Sequence, residues 1–430
     1  MKTSARGFRA ALCAAAVLGV LSAGLTATAE AVPTTTVAVA AGYGLPLGDA
    51  DLVETHSYQT LARGVTLTRI VRGTEPAPAD QINTTTRGPW VVSVLTIDPK
   101  KAKGHLRTTY GPDLARVEKT SDLVKAAGAL AGVNASFFTF TANPQYPGDP
   151  VGLGISDGKL LSEPLTDPTE ANLLIDAKSN KLLTGHLTWS GTVRGKHDIL
   201  PLEFVNHPPV VPAACATLPD QTACAVAGDT VLFTPEFAAS TPAGAGIEVV
   251  LDSRGCVIRT SNLRGTPLTA GQTSIQATGL DTVALLKVAG AGNCLRTDLK
   301  VADATGTKVP LRKGLYGATG RYQLTKNGEV VVPPGAGSFF DRNPRTIAGT
   351  TSDGKIVLAA LDGRQTTSVG TTMNETAAVA KSLGLTNSIN LDGGGSTAMA
   401  LQDGTLVNHP SGANGAERAV GDAVVWVPGN

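Results

Sequence analysis

The chain has 430 residues, 42% hydrophobic and 17% charged, with a formal net charge of +1. That balance describes a globular protein of about two or three domains and excludes a disordered or fibrous one. The basic residues form no long run, so nucleic acid has no electrostatic footprint on which to bind, and the low aromatic content beside abundant glycine and proline favours many short strands and turns.

Residues 1–31 read as a secretory signal, and the chain is expected to be secreted. Lys2, Arg6 and Arg9 form the positive start, an apolar run from Ala10 to Leu25 follows, and small residues stand at Ala27-Thr28-Ala29. The run is short for a membrane span and nothing later resembles one. Residues 32–54 are expected as a flexible leader. Strands are expected at 65–71 and 90–97, and a helix over Ser121–Leu130, capped by Thr120 or Ser121 and stopped by Gly132. VNASFFTF at 133–140 reads as a strand entering a polar loop.

From 170 to 313 the texture changes to short apolar runs broken by Gly, Pro and Asp, which predicts a β-rich inserted module. Cys13 falls in the signal, and the other four cysteines lie in this module. An even number in an exported chain points to disulfides, and the local pairs Cys215–Cys224 and Cys256–Cys294 are favoured among the possible connectivities. Beyond the module, Thr372-Met373-Asn374-Glu375 is a capping-box pattern, with Gly384 as the helix stop and SINL at 388–391 as the next strand. This order of helix, strand, polar loop and Asp-Gly hairpin repeats the grammar around Asn134. A duplication of that kind would put Asn134 and Asp392 on opposite sides of one cleft. The fold class expected is α+β, mixed sheets with few helices, divided into 55–169 and 314–430 by the insert.

Four segments join an apolar strand to a polar tip: GVNASFF at 132–138, NPRTIAG at 343–349, LDGRQ at 361–365, and Asp392 to Arg418. Asp392 and Glu417 are candidates for an acid/base or nucleophile pair at a sugar. Arg345 and Arg418 carry the planar fork that matches phosphate oxygens. Gly393-Gly394-Gly395 with Ser396 and Thr397 could turn backbone N–H groups into an anion nest, or form a plain glycine-rich turn. Asn134 is a candidate ligand for a sugar hydroxyl or N-acetyl group, and Phe137-Phe138 a stacking wall or core. Asp362-Gly363-Arg364 reads as a functional turn or a simple hairpin turn. Without a zinc-binding His motif or a serine elbow, neither class of hydrolase gains support. No cofactor or metal is expected, although a hard cation held by Asp392 and loop carbonyls is compatible.

In this order, NPRTIAG, LDGRQ and NLDGGGST followed by ERAV resemble the phosphodiester glycosidase family, the domain of the lysosomal uncovering enzyme and its bacterial relatives. The resemblance spans about Gly88–Pro164 and Gly314–Pro428. It implies an α+β fold and hydrolysis, at the sugar-side bond, of N-acetylglucosamine-1-phosphodiester-like linkages in glycans or cell-wall polymers. It carries substrate-site roles to Asn134, Arg345, Asp392, Gly394, Ser396, Thr397, Glu417 and Arg418. The partner implied is a sugar-phosphate or polysaccharide substrate. Two departures stand out. Ala135-Ser136 replace a glycine pair, which would narrow the pocket, and Ser411-Gly412 replace a Ser-Asp pair. The rival readings are a glycan-binding protein without turnover, whose insert grips polymer, and a metal-dependent phosphodiesterase cutting P–O.

Overall fold

The computed structural model describes residues 35–39, 44–290 and 292–429. The signal segment lies outside them. Among the described residues strands dominate, with three α-helices beside them: α1 (Thr120–Ala126), α2 (Asp281–Ala289) and α3 (Met373–Ser382), in keeping with the α+β expectation.

The spine is an antiparallel sheet. Its central strands run in the spatial order Val65–Arg72, Trp90–Ile97, Ile356–Leu361, Arg345–Thr351, Leu385–Asn390, Leu315–Lys326 and Glu170–Asp176. The near-continuous apolar runs in these strands follow from burial on both faces. Because side chains alternate across a strand, Leu95 and Ile97 enter one core with Ile356, Leu358 and Ala360, while Trp90, Val92 and Val94 enter another with Val357, Ala359 and Leu361.

A second antiparallel sheet covers the first face, in the order Met399–Leu401, Ala131–Asn134, Asp422–Pro428 and Gly104–Tyr110. It contributes Val133, Met399, Val424 and Trp426 to the shared core. Helix α3 covers the opposite face through Met373, Ala377 and Ala380. Its capping box forms as expected: Glu375 N donates to Thr372 Oγ1 (3.1 Å) and Thr372 N donates to the Glu375 carboxylate (2.8 Å).

Several expectations need correction. Residues 44–54 do not behave as a flexible leader. Leu45, Leu47 and Leu52 are buried, and Leu45 N donates to the buried Glu54 carboxylate. Helix α1 ends at Ala126, because Ala131–Asn134 is taken into the second sheet. The segment after Asn134 leaves that sheet at once. Glu170–Asp176 and Lys181–Gly185 belong to the main sheet, since the former pairs with Leu315–Lys326 and the latter extends that edge. The separate module is therefore narrower than 170–313. Its two sheets run from Leu187 to Val309 and share a core that reaches Leu174 and Leu315 of the main sheet. Both expected cysteine pairs are disulfides. Among the described residues, no helix is long and apolar enough to cross a membrane.

Leu358 is fully buried at the centre of the spine, between the two sheets. Leu358→Ala is expected to lower unfolding free energy by about 2–5 kcal/mol, read by urea denaturation. A smaller loss would mean that the sheets close over the cavity.

Candidate functional site

Three neighbouring central strands run antiparallel, so the start of Arg345–Thr351 and the ends of Ile356–Leu361 and Leu385–Asn390 lie together. Arg345, the 362–364 turn and Asp392 thus share one end of the spine. The second sheet brings Ala131–Asn134 and Asp422–Pro428 to the same end, because Asn134 is registered with Ala423. There the chain forms a pocket of about 270 Å³, lined by Phe137, Phe339, Asn343, Arg345, Arg364, Asp392, the three glycines 393–395 and Arg418, with Ser338 at its edge.

Three guanidiniums and one carboxylate line this pocket, and one of the three, Arg418, approaches the carboxylate. Arg345 is buried, and its Nη2 donates to the carbonyls of Phe339 (2.6 Å) and Asp341 (2.9 Å). Arg364 donates through Nε and Nη2 to Asn343 Oδ1 (3.1 and 2.7 Å). Arg418 donates to Ser396 Oγ, lies 3.7 Å from Asp392 Oδ2, and stacks 4.8 Å over the Phe140 ring. In each case Nη1 has no hydrogen-bond acceptor among the described residues. Burial pulls the Arg345 guanidinium down to about 10, with Arg364 adding to the effect. Burial also lowers that of Arg364, and here Arg418 contributes. Arg345 is buried, Arg418 half-buried and Arg364 exposed, and their mutual repulsion is an arrangement that a bound anion would relieve.

The glycines permit this crowding. A Cβ on Gly394 would stand 3.1 Å from Arg364 Nη2, and Gly394 has φ +59°. A Cβ on Gly393 would meet the Pro344 carbonyl at 2.8 Å. Arg364 is itself left-handed, at φ +61°, a conformation that is strained for a bulky side chain.

Asp392 accepts from Gly393 N (2.9 Å). Burial raises its pKa, while the Ser396 hydroxyl and Arg418 oppose the rise. A second carboxylate stands nearby. Asp422 accepts from Ser136 N (2.6 Å) and Ser136 Oγ (2.7 Å), and burial, with Asp392 adding, pushes it up to about 6.

The pocket gathers Arg345, Asp392, Gly394 and Arg418 of the expected residues, and it separates the others. Asn134 is fully buried and contacts no ligand space. Its Nδ2 donates to the Asp392 carbonyl (2.6 Å), and its Oδ1 accepts from Thr346 Oγ1 (2.7 Å) and Ala398 N (3.1 Å). It stands beside Asp392, not across a cleft from it. Glu417 is not paired with Asp392. It accepts from Ser121 N (2.9 Å) and Ser121 Oγ (2.6 Å), where its charge favours the first turn of α1. Ser396 and Thr397 are buried behind the lining, the first under Arg418 and the second against Thr346 and Asn408. Of the expected anion nest, the N–H groups of Gly393, Gly394, Ser396 and Thr397 go to protein acceptors, while that of Gly395, in the pocket lining, has no acceptor among the described residues. Ala135 and Ser136 do not narrow the pocket, since Ala135 joins the core and Ser136 holds Asp422. Of the phenylalanine pair, Phe137 lines the pocket while Phe138 packs against a satellite core.

Sequence reasoning left Arg364 unassigned between two turn readings, and it passed over Asn343 although it lies in a highlighted motif. Phe339 and Phe140 carried no signal, because nothing local marks a loop phenylalanine as an arginine's neighbour. Among the described residues, no group of three or more His, Cys, Asp or Glu side chains is placed to hold a metal ion.

The model of the phosphodiester glycosidase family matches residues 241–427 of the chain. A crystal structure of a candidate exported protein from Burkholderia pseudomallei K96243 superposes with a TM-score of 0.76 at 26% identity, covering 93% of this chain and 99% of that one. A hypothetical protein from Synechocystis shares the fold, with a TM-score of 0.62 at 16% identity over 92% of this chain and 81% of that one. The uncharacterized SPbeta prophage-derived protein YomE of Bacillus subtilis (strain 168) is 39% identical over 83 residues, which is 19% of this chain and 12% of that protein.

The Asp362 turn has a measurable electrostatic signature. Asp362 is buried and accepts from Asn408 Nδ2 (3.1 Å) and His409 N (3.1 Å). Burial pushes its carboxyl up to about 6 from an ordinary 3.8. The folded chain therefore holds this proton more tightly than the unfolded chain. The resulting stability is fully present below the ordinary value and is lost as pH rises through about 6, a cost on the order of 3 kcal/mol. Asp362→Asn keeps one oxygen for both donors. It is expected to stabilise the protein near pH 8 by up to that amount and to change little near pH 4, read by chemical denaturation at both values.

Proposed function

We propose that the protein is a secreted glycosidase that hydrolyses sugar-1-phosphodiester bonds, of the N-acetylglucosamine-1-phosphodiester type, in glycans or cell-wall polymers. The observation that carries this reading is the set of three guanidiniums that line one pocket together with a carboxylate and an aromatic wall. A phosphodiester oxygen pair suits such a cluster, and Phe137 offers a face to the apolar side of a sugar ring. The match of residues 241–427 to the phosphodiester glycosidase family model supports the reaction class. Two disulfides and the likeness to a candidate exported protein support an extracellular place.

In this mechanism the anomeric C–O bond breaks and its electron pair leaves with the phosphate. Arg345, Arg364 and Arg418 stabilise the negative charge gathering on that group. The leaving phosphate needs little protonation. Water adds to the anomeric carbon and gives its proton to Asp392, whose raised pKa makes it a better base than an ordinary carboxylate. Glu417, engaged with Ser121, takes no part.

Asp392→Asn is expected to reduce release of N-acetylglucosamine from its 1-phosphodiesters by about 10²–10⁴-fold. Hydrolysis in oxygen-18 water is expected to place label in the sugar. Label in the phosphate would replace the glycosidase reading with P–O cleavage, and binding without product would replace it with a binder.

Since Asp392 must be ionised to act as a base, activity is expected to fall as pH drops through its raised pKa. The acid limb then lies above the ordinary carboxylate value. Ser396→Ala, which removes a hydrogen bond opposing the rise, should move that limb to still higher pH. A limb that stays in place would remove Asp392 from the proton-accepting role.

Arg364→Gly relieves the left-handed strain and deletes one guanidinium. It is expected to weaken phosphate binding about tenfold or more in calorimetry without loss of thermal stability.

A further inference from the structure

The inserted module reaches the pocket through one charged cluster that the mechanism above does not use. His207, just after the module strand Phe204–Val205, points its ring between two buried carboxylates of the main body. Its Nδ1 lies 2.9 Å from the Asp149 carboxylate, and its Nε2 lies 3.5 Å from Glu163 Oε1 and 3.2 Å from Ser162 Oγ. The side chains of Asp149 and Glu163 are 3% and 5% exposed. Two carboxylates at that depth are costly without a cation, and His207 is the cation acting on both. The junction is tied further by Val205 N donating to Glu163 Oε2 (2.8 Å) and Asn206 Nδ2 donating to the Leu161 carbonyl (3.0 Å). The Ser162–His207–Asp149 order is not a nucleophilic triad. Ser162 is fully buried, and its hydroxyl donates to the Gly152 carbonyl (2.6 Å).

Asp149 stands at the base of the loop that walls the pocket. Its carbonyl accepts from Thr139 N (2.9 Å), and the Phe137 carbonyl accepts from Val151 N (2.9 Å). Phe140 N donates to the Pro147 carbonyl (2.9 Å). The loop thus folds back on itself and presents Phe137 to the pocket and Phe140 to Arg418. The module supports the same loop at a second point, where Phe237 packs on Tyr146 with ring centroids 5.1 Å apart.

We propose that His207 is a positioning residue: reaching out of the inserted module, it clamps Asp149 and Glu163 and so holds the 137–151 loop, whose Phe137 lines the pocket and whose Phe140 seats Arg418. The proposal rests on reading the three-arginine pocket as the binding site. It gives the module a task in building that site, distinct from gripping polymer.

The test is amide hydrogen exchange on the full chain, paired with calorimetric titration of inorganic phosphate. In His207→Ala, the amides of Thr139, Phe140 and Val151 are expected to exchange about tenfold faster or more, while those of Ile347 and Leu358 in the spine stay at the wild-type rate. Phosphate affinity should fall several-fold with them. In the double variant His207→Gln with Glu163→Gln, one carboxylate is neutralised and a donor to Asp149 is kept, so loop protection and phosphate affinity should return most of the way. If His207→Ala does not fold, His207→Gln alone takes its place in the comparison. Loop amides that stay at wild-type rates in a folded variant would overturn the proposal. So would loop and spine amides accelerating together in both variants, since that is general destabilisation. If wild-type protein fails to bind phosphate, the pocket reading fails, and the exchange arm still decides whether His207 holds the loop.

Discussion

The site depends on how a single buried amide is satisfied. Asn134 ends a strand of the second sheet, and its side chain bonds to the Asp392 carbonyl, the Thr346 hydroxyl and the Ala398 amide. Those three partners lie on the main spine or on the chain leaving it. An unsatisfied amide at that depth would cost on the order of 1–3 kcal/mol, so the two sheets can close over their shared core in the register that completes these bonds. That register sets the height of Asp392 against Arg418, which arrives just before the neighbouring strand Asp422–Pro428. A residue expected to touch substrate is instead the joint that aligns the residues lining the pocket.

Around that joint the electrostatics are deliberately unbalanced. Three guanidiniums and one carboxylate share a small pocket, and backbone carbonyls or neutral side chains satisfy only part of each guanidinium. Backbone carbonyls fix Arg345 in place without neutralising it. Glycine suits position 394 because its φ of +59° is left-handed and a Cβ there would stand 3.1 Å from Arg364 Nη2, closer than an ordinary contact. The result is an excess of positive charge beside a carboxylate that burial makes more basic.

The β-rich module has its own core and its own disulfides, yet it is continuous with the spine through Leu174 and Leu315 and with the pocket wall through His207. Its boundary shifted inward from the expected one because strand pairing, not composition, decides membership of a sheet. Glu170–Asp176 has the same apolar texture as the module but finds its hydrogen-bond partner in Leu315–Lys326.

Local rules were enough for much of this chain. The capping box of α3, the strands at 65–71 and 90–97, the Asp157-Gly158 hairpin and the cysteine pairs were legible from residue types and spacing, while a common site for Arg345, Asp392 and Arg418 was implied by the family resemblance. The cap and the hairpin depend on interactions within a few residues, and the cysteines on pairing neighbours among four. The partners of long-range polar groups were not legible. Glu417 went to helix α1, Asn134 to an internal joint, Ser136 to Asp422, and Phe140 to Arg418. Polar side chains like these look alike in sequence whether they face a ligand or another strand. Only sheet register, fixed by the packing of two faces at once, decides which neighbour each of them meets.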